Sequence, residues 1–274
     1  LFNLVKNYFE PLKQKYKWGS NSFYYFAGLK SIHPTFVQEM LSDDQFDNED
    51  IYSNLNNLST LGGRKFSKEL ISLGKNYYKK MNKGDWEPKE VIKDRNILIL
   101  GPGSSNIKYR MKIIEFIKKY KPIVLALNAI SPVPKKYIYA NVVCHTLRLL
   151  SDIDKYKNSN KYLITPFSSF SKNIKTRISN KKILNFGLQV KNNKFKFEKN
   201  YALLPNSLAI TYTLGVCTSG ECKKIFFAGL DGYDNDSPKK FEMDGVLQNY
   251  KLEKKARKIV SLTPTNYKIS RFKI

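Results

Sequence analysis

The sequence predicts an α/β protein with a Rossmann-like, mainly parallel sheet that carries helices on both faces and follows a small helical region. From residue 95 onward, short apolar segments with strand character alternate with helical segments, which is typical of parallel sheets. Before residue 93 the apolar spacing is helical instead, as at positions 1, 4, 5, 8, 9 and 12. We therefore predict a helical region over 1–92 and a Rossmann-like domain over 93–274.

The individual elements are predicted from apolar runs, caps and turn residues. In the first region, helices are predicted over 34–41, 49–58 and 68–81, and the segment 82–88, which contains Gly84 and Pro88, is predicted as a linker. Short apolar runs predict strands over 96–100, 123–127, 137–143, 162–165, 182–186 and 224–228. Amphipathic or apolar stretches predict helices over 107–120, 207–218 and 245–260. Residues 191–199 are predicted to form a short exposed hairpin strand.

Charge and cysteine content limit the classes of partner. The 274 residues carry 48 Lys and Arg against 23 Asp and Glu, a formal charge of +25, but lysine dominates and is scattered along the chain. Because specific base and phosphate readout relies on arginine clusters, we expect no specific nucleic-acid partner. A positive surface favours nucleotides, phosphates or the anionic inner face of a membrane. The 3 cysteines lack paired spacing, so we expect a cytoplasmic protein without a disulfide framework or a zinc site.

The strongest local motif follows the first predicted strand of the second region. The apolar run 97–100 leads into Gly101, Pro102, Gly103, Ser104 and Ser105, and a helix follows. Glycines allow close approach to the backbone, and unpaired N–H groups at a helix start attract phosphate. The third glycine of the dinucleotide fingerprint and the Gly-Lys-Ser/Thr of a P-loop are absent from this motif. The motif therefore predicts a phosphate-binding loop, and a plain strand-to-helix turn is the alternative.

Polar residues follow two other predicted strands and open one predicted helix. Asn128 follows the second strand, and Asn206 and Ser207 open the apolar helix 207–218. Asp231 and Asp234 follow the strand 224–228. Ligands of open α/β sheets bind outside the carboxyl ends of the strands, so we expect these residues near the phosphate loop. The two carboxylates are candidates for binding ribose, holding a metal or acting as a base, and turn residues around Gly232 are the alternative.

Histidine is scarce in the chain, with 2 residues. His33 lies in the helical region and is predicted to be structural, whereas His145 follows a predicted strand and reaches the carboxyl edge of the sheet. A side chain that titrates near neutral pH suits proton transfer there. His145 is therefore a candidate general base together with Asp231, and a packed structural histidine is the alternative.

Residues 95–235 resemble the small bacterial CMP-sialic-acid-dependent sialyltransferases, and are similar to Rossmann-like domains of the pterin diphosphokinase-like type. The likeness rests on Gly101 to Ser105, on Leu127 and Asn128, on Asn206 and Ser207, and on the run Ala228 to Tyr233. It implies contacts from Gly103, Ser104, Asn128 and Ser207 to the CMP part of a CMP-sugar. The catalytic histidine and paired tyrosines of that family have no secure match in this chain.

Residues 8–41 resemble the helical segment that follows the barrel in metal-dependent aldolases of the pyruvate-carboxyltransferase-like superfamily. Pro11, Trp18, Gly28, His33 and Pro34 lie in the matching stretch. The resemblance implies a fusion protein of a polysaccharide gene cluster, whose barrel and metal ligands would precede Leu1. The sequence begins with Leu1, which agrees with a downstream part of a longer reading frame.

These expectations combine into one prediction with two alternatives. We expect a domain that binds a nucleotide-sugar, most specifically a CMP-sugar as substrate, and acts in glycosyl transfer for surface-polysaccharide synthesis. The first alternative is the tail of an aldolase of the 4-hydroxy-2-oxovalerate aldolase type, and the second is a non-catalytic nucleotide-binding module. Within this chain no resident cofactor is predicted, since the metal ligands of the aldolase alternative would precede Leu1.

Overall fold

The computed structural model describes residues 82–274 except 130, 145, 191–193 and 235–237. The helices predicted over 34–41, 49–58 and 68–81 lie outside the described residues. The described strands are β1 (Asn96–Leu100), β2 (Ile123–Leu127), β3 (Ala140–Val142), β4 (Tyr162–Thr165), β5 (Ile183–Asn185), β6 (Gly187–Val190), β7 (Lys196–Phe197), β8 (Tyr201–Leu204), β9 (Lys224–Ala228) and β10 (Ile259–Ser261). The described helices are α1 (Lys89–Ile92), α2 (Ser105–Lys108), α3 (Arg110–Tyr120), α4 (Thr146–Ser151), α5 (Ile153–Lys157), α6 (Lys172–Arg177), α7 (Ala209–Ser219) and α8 (Pro238–Leu252).

Seven of the strands form one sheet with the order β10-β9-β1-β2-β3-β4-β5. Every neighbouring pair in this sheet is parallel. The chain runs outward from β1 to β5, and later returns to place β9 and β10 on the other side of β1. The predicted α/β class with a Rossmann-like parallel sheet is confirmed, and the strand order reverses between β1 and β9.

Successive residues of a strand point to opposite faces of the sheet, and each face of this sheet carries a buried apolar core. Ile97 and Ile99 of β1 belong to a core that also contains residues of α7 and α8. Leu98 and Leu100 belong to a second core with Ile113, Phe116 and Ile117 of α3. Helices therefore cover both faces of the sheet.

A small second sheet packs on the face that carries α7 and α8. Its order is β6-β8-β7, with β6 parallel and β7 antiparallel to β8. Phe195 and Phe197, which the sequence predicts to be exposed, are buried here at 8% and 6% exposure. Both rings lie beside Tyr250 of α8, at centroid distances of 5.8 and 6.1 Å. The alternation with lysine marks one face of a strand that packs on a helix, so the prediction of an exposed strand is wrong.

The end of the predicted helix 245–260 is a strand. Helix α8 ends at Leu252, and β10 pairs Ile259 with Ile225 and Val260 with Phe226 of β9. Ile259 and Val260 are both buried because the sheet needs apolar side chains on its two faces. The lysine-rich residues 253–258, predicted as the last turns of the helix, instead connect α8 to β10.

Residues 82–88 pack against this domain. The backbone N–H groups of Asp85 and Trp86 donate to the Asn185 carbonyl, both at 3.1 Å, and Trp86 is 8% exposed. The Gly84 N–H donates to the Asn200 carbonyl at 3.0 Å. The predicted linker 82–88 is therefore hydrogen-bonded to the end of β5. The domain boundary near residue 92 stays a prediction.

Segment 270–272 pairs with the outer strand β10. The Ser261 N–H donates to the Ser270 carbonyl at 2.9 Å, and the Phe272 N–H donates to the Ser261 carbonyl at 2.8 Å. The Phe272 ring lies 5.9 Å from that of Phe116 and 5.8 Å from that of Phe226. An aromatic contact thus anchors the segment that covers this edge. Among the described helices, none combines the length and the apolar character that crossing a bilayer requires.

Candidate functional site

The loops after β1 and β9 leave the sheet side by side. Leu100 is paired with Ala228, and beyond this pair the Gly101 N–H donates to the Ala228 carbonyl at 2.8 Å. The Gly103 N–H donates to the Gly229 carbonyl, also at 2.8 Å. A Cβ on Gly103 would lie 2.6 Å from Asp231 Cγ and from the Gly229 carbonyl oxygen. The loop after β9 therefore leaves no room for a side chain at Gly103.

The carboxylate of Asp231 occupies the start of α2. Its Oδ2 accepts the Ser105 backbone N–H at 2.9 Å and the Ser104 hydroxyl at 3.3 Å, and its Oδ1 accepts the Ser105 hydroxyl. Negative charge at a helix start is stabilised by the unpaired N–H groups there. The anion at the predicted phosphate position is thus a side chain of the protein itself. Asp231 joins two loops that lie 126 residues apart in the sequence.

A second set of contacts, made by the buried side chain of Asn106, holds the same two loops. Asn106 is fully buried, and its side-chain amide donates to the Gly101 carbonyl at 2.6 Å. Gly229 has a φ of +72°, and a Cβ there would overlap the Asn106 amide. The Gly229 N–H donates to the Thr263 hydroxyl at 3.0 Å, so the loop after β10 also takes part. Three neighbouring strand ends are therefore connected by hydrogen bonds.

Asn128 lies at the end of β2 in the left-handed region, with a φ of 62°. Its N–H donates to the Val142 carbonyl at 2.9 Å, and its carbonyl accepts the Asn141 side-chain amide at 2.7 Å. Asparagine tolerates this conformation better than most residues. The backbone of Asn128 is thus fixed by β3, and its half-buried side chain stays at the carboxyl edge that the sequence predicts.

Asn206 and Ser207 are buried, at 0% and 1% exposure, which leaves almost no surface on either residue for a ligand to contact. The Asn206 Oδ1 accepts the Leu208 N–H at 3.3 Å, which fixes the entry into α7. The Ser207 carbonyl accepts the Cys144 thiol at 2.9 Å. The start of α7 therefore lies against the end of β3, on the same edge of the sheet as Asn128.

The remaining candidates differ in position. His145 lies outside the described residues, and its neighbour Cys144 is buried at the end of β3, where burial raises the pKa of the thiol. A protonated, buried thiol is a poor nucleophile, so Cys144 has a packing role. Asp234 is exposed on the loop after β9, three residues beyond Asp231. Of the two carboxylates, only Asp231 is bonded to the loop 101–105 in the part of the chain that the structure describes.

The pairing of Asp231 with Ser104 and Ser105 was not predicted from the sequence, nor were Asn106 and Thr263 as parts of the site. Their only sequence signal is position, because each follows the carboxyl end of a strand by a few residues. No group of three or more His, Cys, Asp or Glu residues within the described ranges is arranged to hold a metal ion. No family model and no curated protein matches this chain.

Proposed function

We propose that the α/β domain binds a nucleoside phosphate, most specifically the CMP part of a CMP-sugar, and acts in glycosyl transfer for surface-polysaccharide synthesis. One observation carries the proposal. The strand order of a fully parallel sheet reverses between β1 and β9, and two glycine-containing loops leave the sheet at that point. Crevices of this kind are where open α/β sheets bind nucleotides.

The position of Asp231 bears on where we propose that the phosphate lies. Because this carboxylate takes the helix start, a second anion would meet repulsion there. Pro102 and Ser104 are exposed and Gly103 is half-exposed, so the outer side of the loop stays accessible. In the proposal the phosphate contacts this outer side, while Asn128 binds the ribose or the base. The formal charge of +25 favours the approach of such an anion.

Transfer would break the bond between the anomeric carbon of the sugar and the phosphate oxygen, and CMP would leave. A bond would form from the acceptor hydroxyl oxygen to that carbon, and the hydroxyl proton would pass to a base. The Asp231 oxygens already accept three hydrogen bonds, so we assign Asp231 to holding the loop. His145 is then the candidate base.

The test is calorimetric titration of CMP, UMP and AMP into the full chain and into Asn128→Gly. Glycine keeps the left-handed backbone of Asn128 and removes only the side chain. A lost neutral hydrogen bond predicts CMP binding weaker by about 0.5 to 1.5 kcal/mol. Lys121→Gly is the matched control, because Lys121 is also left-handed, at φ 45°, but follows α3 at the opposite edge of the sheet.

The control variant should bind CMP as the unmodified chain does. Equal CMP affinity in all three proteins, or no binding of any of the three nucleotides, would refute the proposed site. Binding of CMP without consumption of a CMP-sugar would favour the non-catalytic module over the transferase.

A further inference from the structure

We propose that the outer surface of α2 and α3 docks onto an anionic lipid bilayer. Two large apolar side chains project from it, Ile107 at 70% and Met111 at 66% exposure. Ile107 lies in α2 and Met111 in the first turn of α3, and a single residue, Tyr109, separates the two helices. Apolar side chains with this exposure cost free energy in water, and together they form a small contact patch.

The charge around the patch identifies the partner. Residues 105–121 contain one acidic residue, Glu115, and six basic ones: Lys108, Arg110, Lys112, Lys118, Lys119 and Lys121. All six are exposed, whereas Ile113, Phe116 and Ile117 pack against the sheet. A helix that combines exposed apolar side chains with surrounding cations is typical of interfacial binding to anionic lipids. A nucleic-acid backbone would use the cations and leave Ile107 and Met111 in water.

The patch lies beside the candidate site. Helix α2 begins at Ser105, directly after the exposed residues Pro102 and Ser104. A bilayer bound through Ile107 and Met111 would therefore hold the carboxyl edge of the sheet near the lipid surface. The inference does not rest on the proposed nucleotide function, because it uses only exposure and charge on α2 and α3.

The test is cosedimentation of the full chain with vesicles of equal parts phosphatidylglycerol and phosphatidylcholine, and with vesicles of phosphatidylcholine alone. We expect binding to the anionic vesicles that weakens as salt is raised, and little binding to the neutral ones. The double variant Ile107→Ser with Met111→Ser should lower the partition coefficient by roughly tenfold or more. Charge reversal in Lys108→Glu with Arg110→Glu should lower it by a similar factor.

The matched control is Leu252→Ser, together with Lys254→Glu and Lys255→Glu in a second variant. Leu252 is 84% exposed and also has lysine neighbours, but it ends α8 on the other face of the sheet. The control variants should bind vesicles as the unmodified chain does, and circular dichroism should show all variants folded. Equal losses in both sets would overturn the proposal, and so would retention by duplex DNA without binding to vesicles.

Discussion

The Asp231 carboxylate accepts two hydrogen bonds from Ser105, one from the Ser105 backbone N–H at 2.9 Å and one from the Ser105 hydroxyl. The pair connects the loop after β9 to the loop after β1 at the point where the strand order reverses. Both loops are consequently held in one conformation before any ligand arrives. This preorganisation lowers the ordering cost of binding at the edge.

Removing the carboxylate should therefore destabilise the fold. Asp231→Ala leaves the Ser105 N–H without its acceptor, and hydrogen bonds to charged groups contribute about 1.5 to 3 kcal/mol. We expect a loss of that size in the free energy of unfolding, measured by urea denaturation. Asp234→Ala is the control, since Asp234 is exposed and its replacement should change stability by less than about 0.5 kcal/mol. Equal stability of the two variants would contradict the role of Asp231.

Gly229→Ala tests the contacts that Asn106 makes with Gly101 and Gly229. The left-handed φ of +72° costs a side chain roughly 1 to 2 kcal/mol, and the new Cβ displaces the Asn106 amide. The Gly101 carbonyl then loses its donor, which adds about 1 to 3 kcal/mol. In a double-mutant cycle with Asn106→Ala, the cost of Gly229→Ala should shrink to the backbone strain and the close contact of the new Cβ with the Gly101 carbonyl oxygen, at 2.9 Å. Strict additivity in thermal or urea unfolding would show that the two residues do not interact.

His145→Ala separates catalysis from packing. A general base contributes about 10²- to 10⁴-fold in rate, so turnover of a CMP-sugar should fall by that factor while CMP affinity stays nearly unchanged. Melting temperature, binding and turnover are measured on the same preparation. A lower melting temperature with unchanged turnover per folded molecule would make His145 a structural residue.

Tyr250 predicts a stability change at alkaline pH. Burial raises the pKa of its phenol well above the usual value, while its hydroxyl lies 2.7 Å from that of Thr218 and accepts the Arg257 N–H at 2.9 Å. Above pH about 10 the unfolded chain loses a proton that the folded chain keeps, so unfolding is favoured by up to about 1.4 kcal/mol per pH unit. Below that pH, this contribution to stability is fully present.

Tyr250→Phe has no such proton. At pH 7 the variant should be less stable by about 1 to 3 kcal/mol, because it leaves the partners of the hydroxyl without a bond. The difference from the unmodified chain should narrow as pH rises above about 10, which urea unfolding at several pH values measures. A constant difference across this range would show that the phenol is not protected by burial.

The strands whose prediction succeeded share one physical property. The runs that form β1, β2 and β9 are mainly apolar on both faces, and burial on both sides leaves few alternatives for such segments. The proximity of the loop 101–105 to Asp231 at the carboxyl edge of the sheet followed from the parallel arrangement. The identity of the strand beside β1 could not be predicted, because local sequence patterns carry no information about whether β9 or another strand pairs with β1.

Missed features depend on contacts between distant residues. Ser105 and Asp231 each look like ordinary turn residues, and their hydrogen bonds require the strand order that places β9 beside β1. Phe195 and Phe197 alternate with lysine as an exposed strand would, and only the packing of β7 against α8 buries them. Strand β10 was hidden because Ile259 and Val260 follow a charged helix without a glycine or proline between.

The segment 270–272 occupies the edge of β10 at which another molecule could otherwise pair. An outer strand with free N–H and C=O groups is a template for pairing with another molecule, and here residues 270–272 occupy the groups of Ser261. Removal of this segment would uncover those groups together with the aromatic surface of Phe116 and Phe226. A chain shortened by these few residues would keep its sheet but expose an unpaired strand edge, and self-association through that edge would increase with protein concentration.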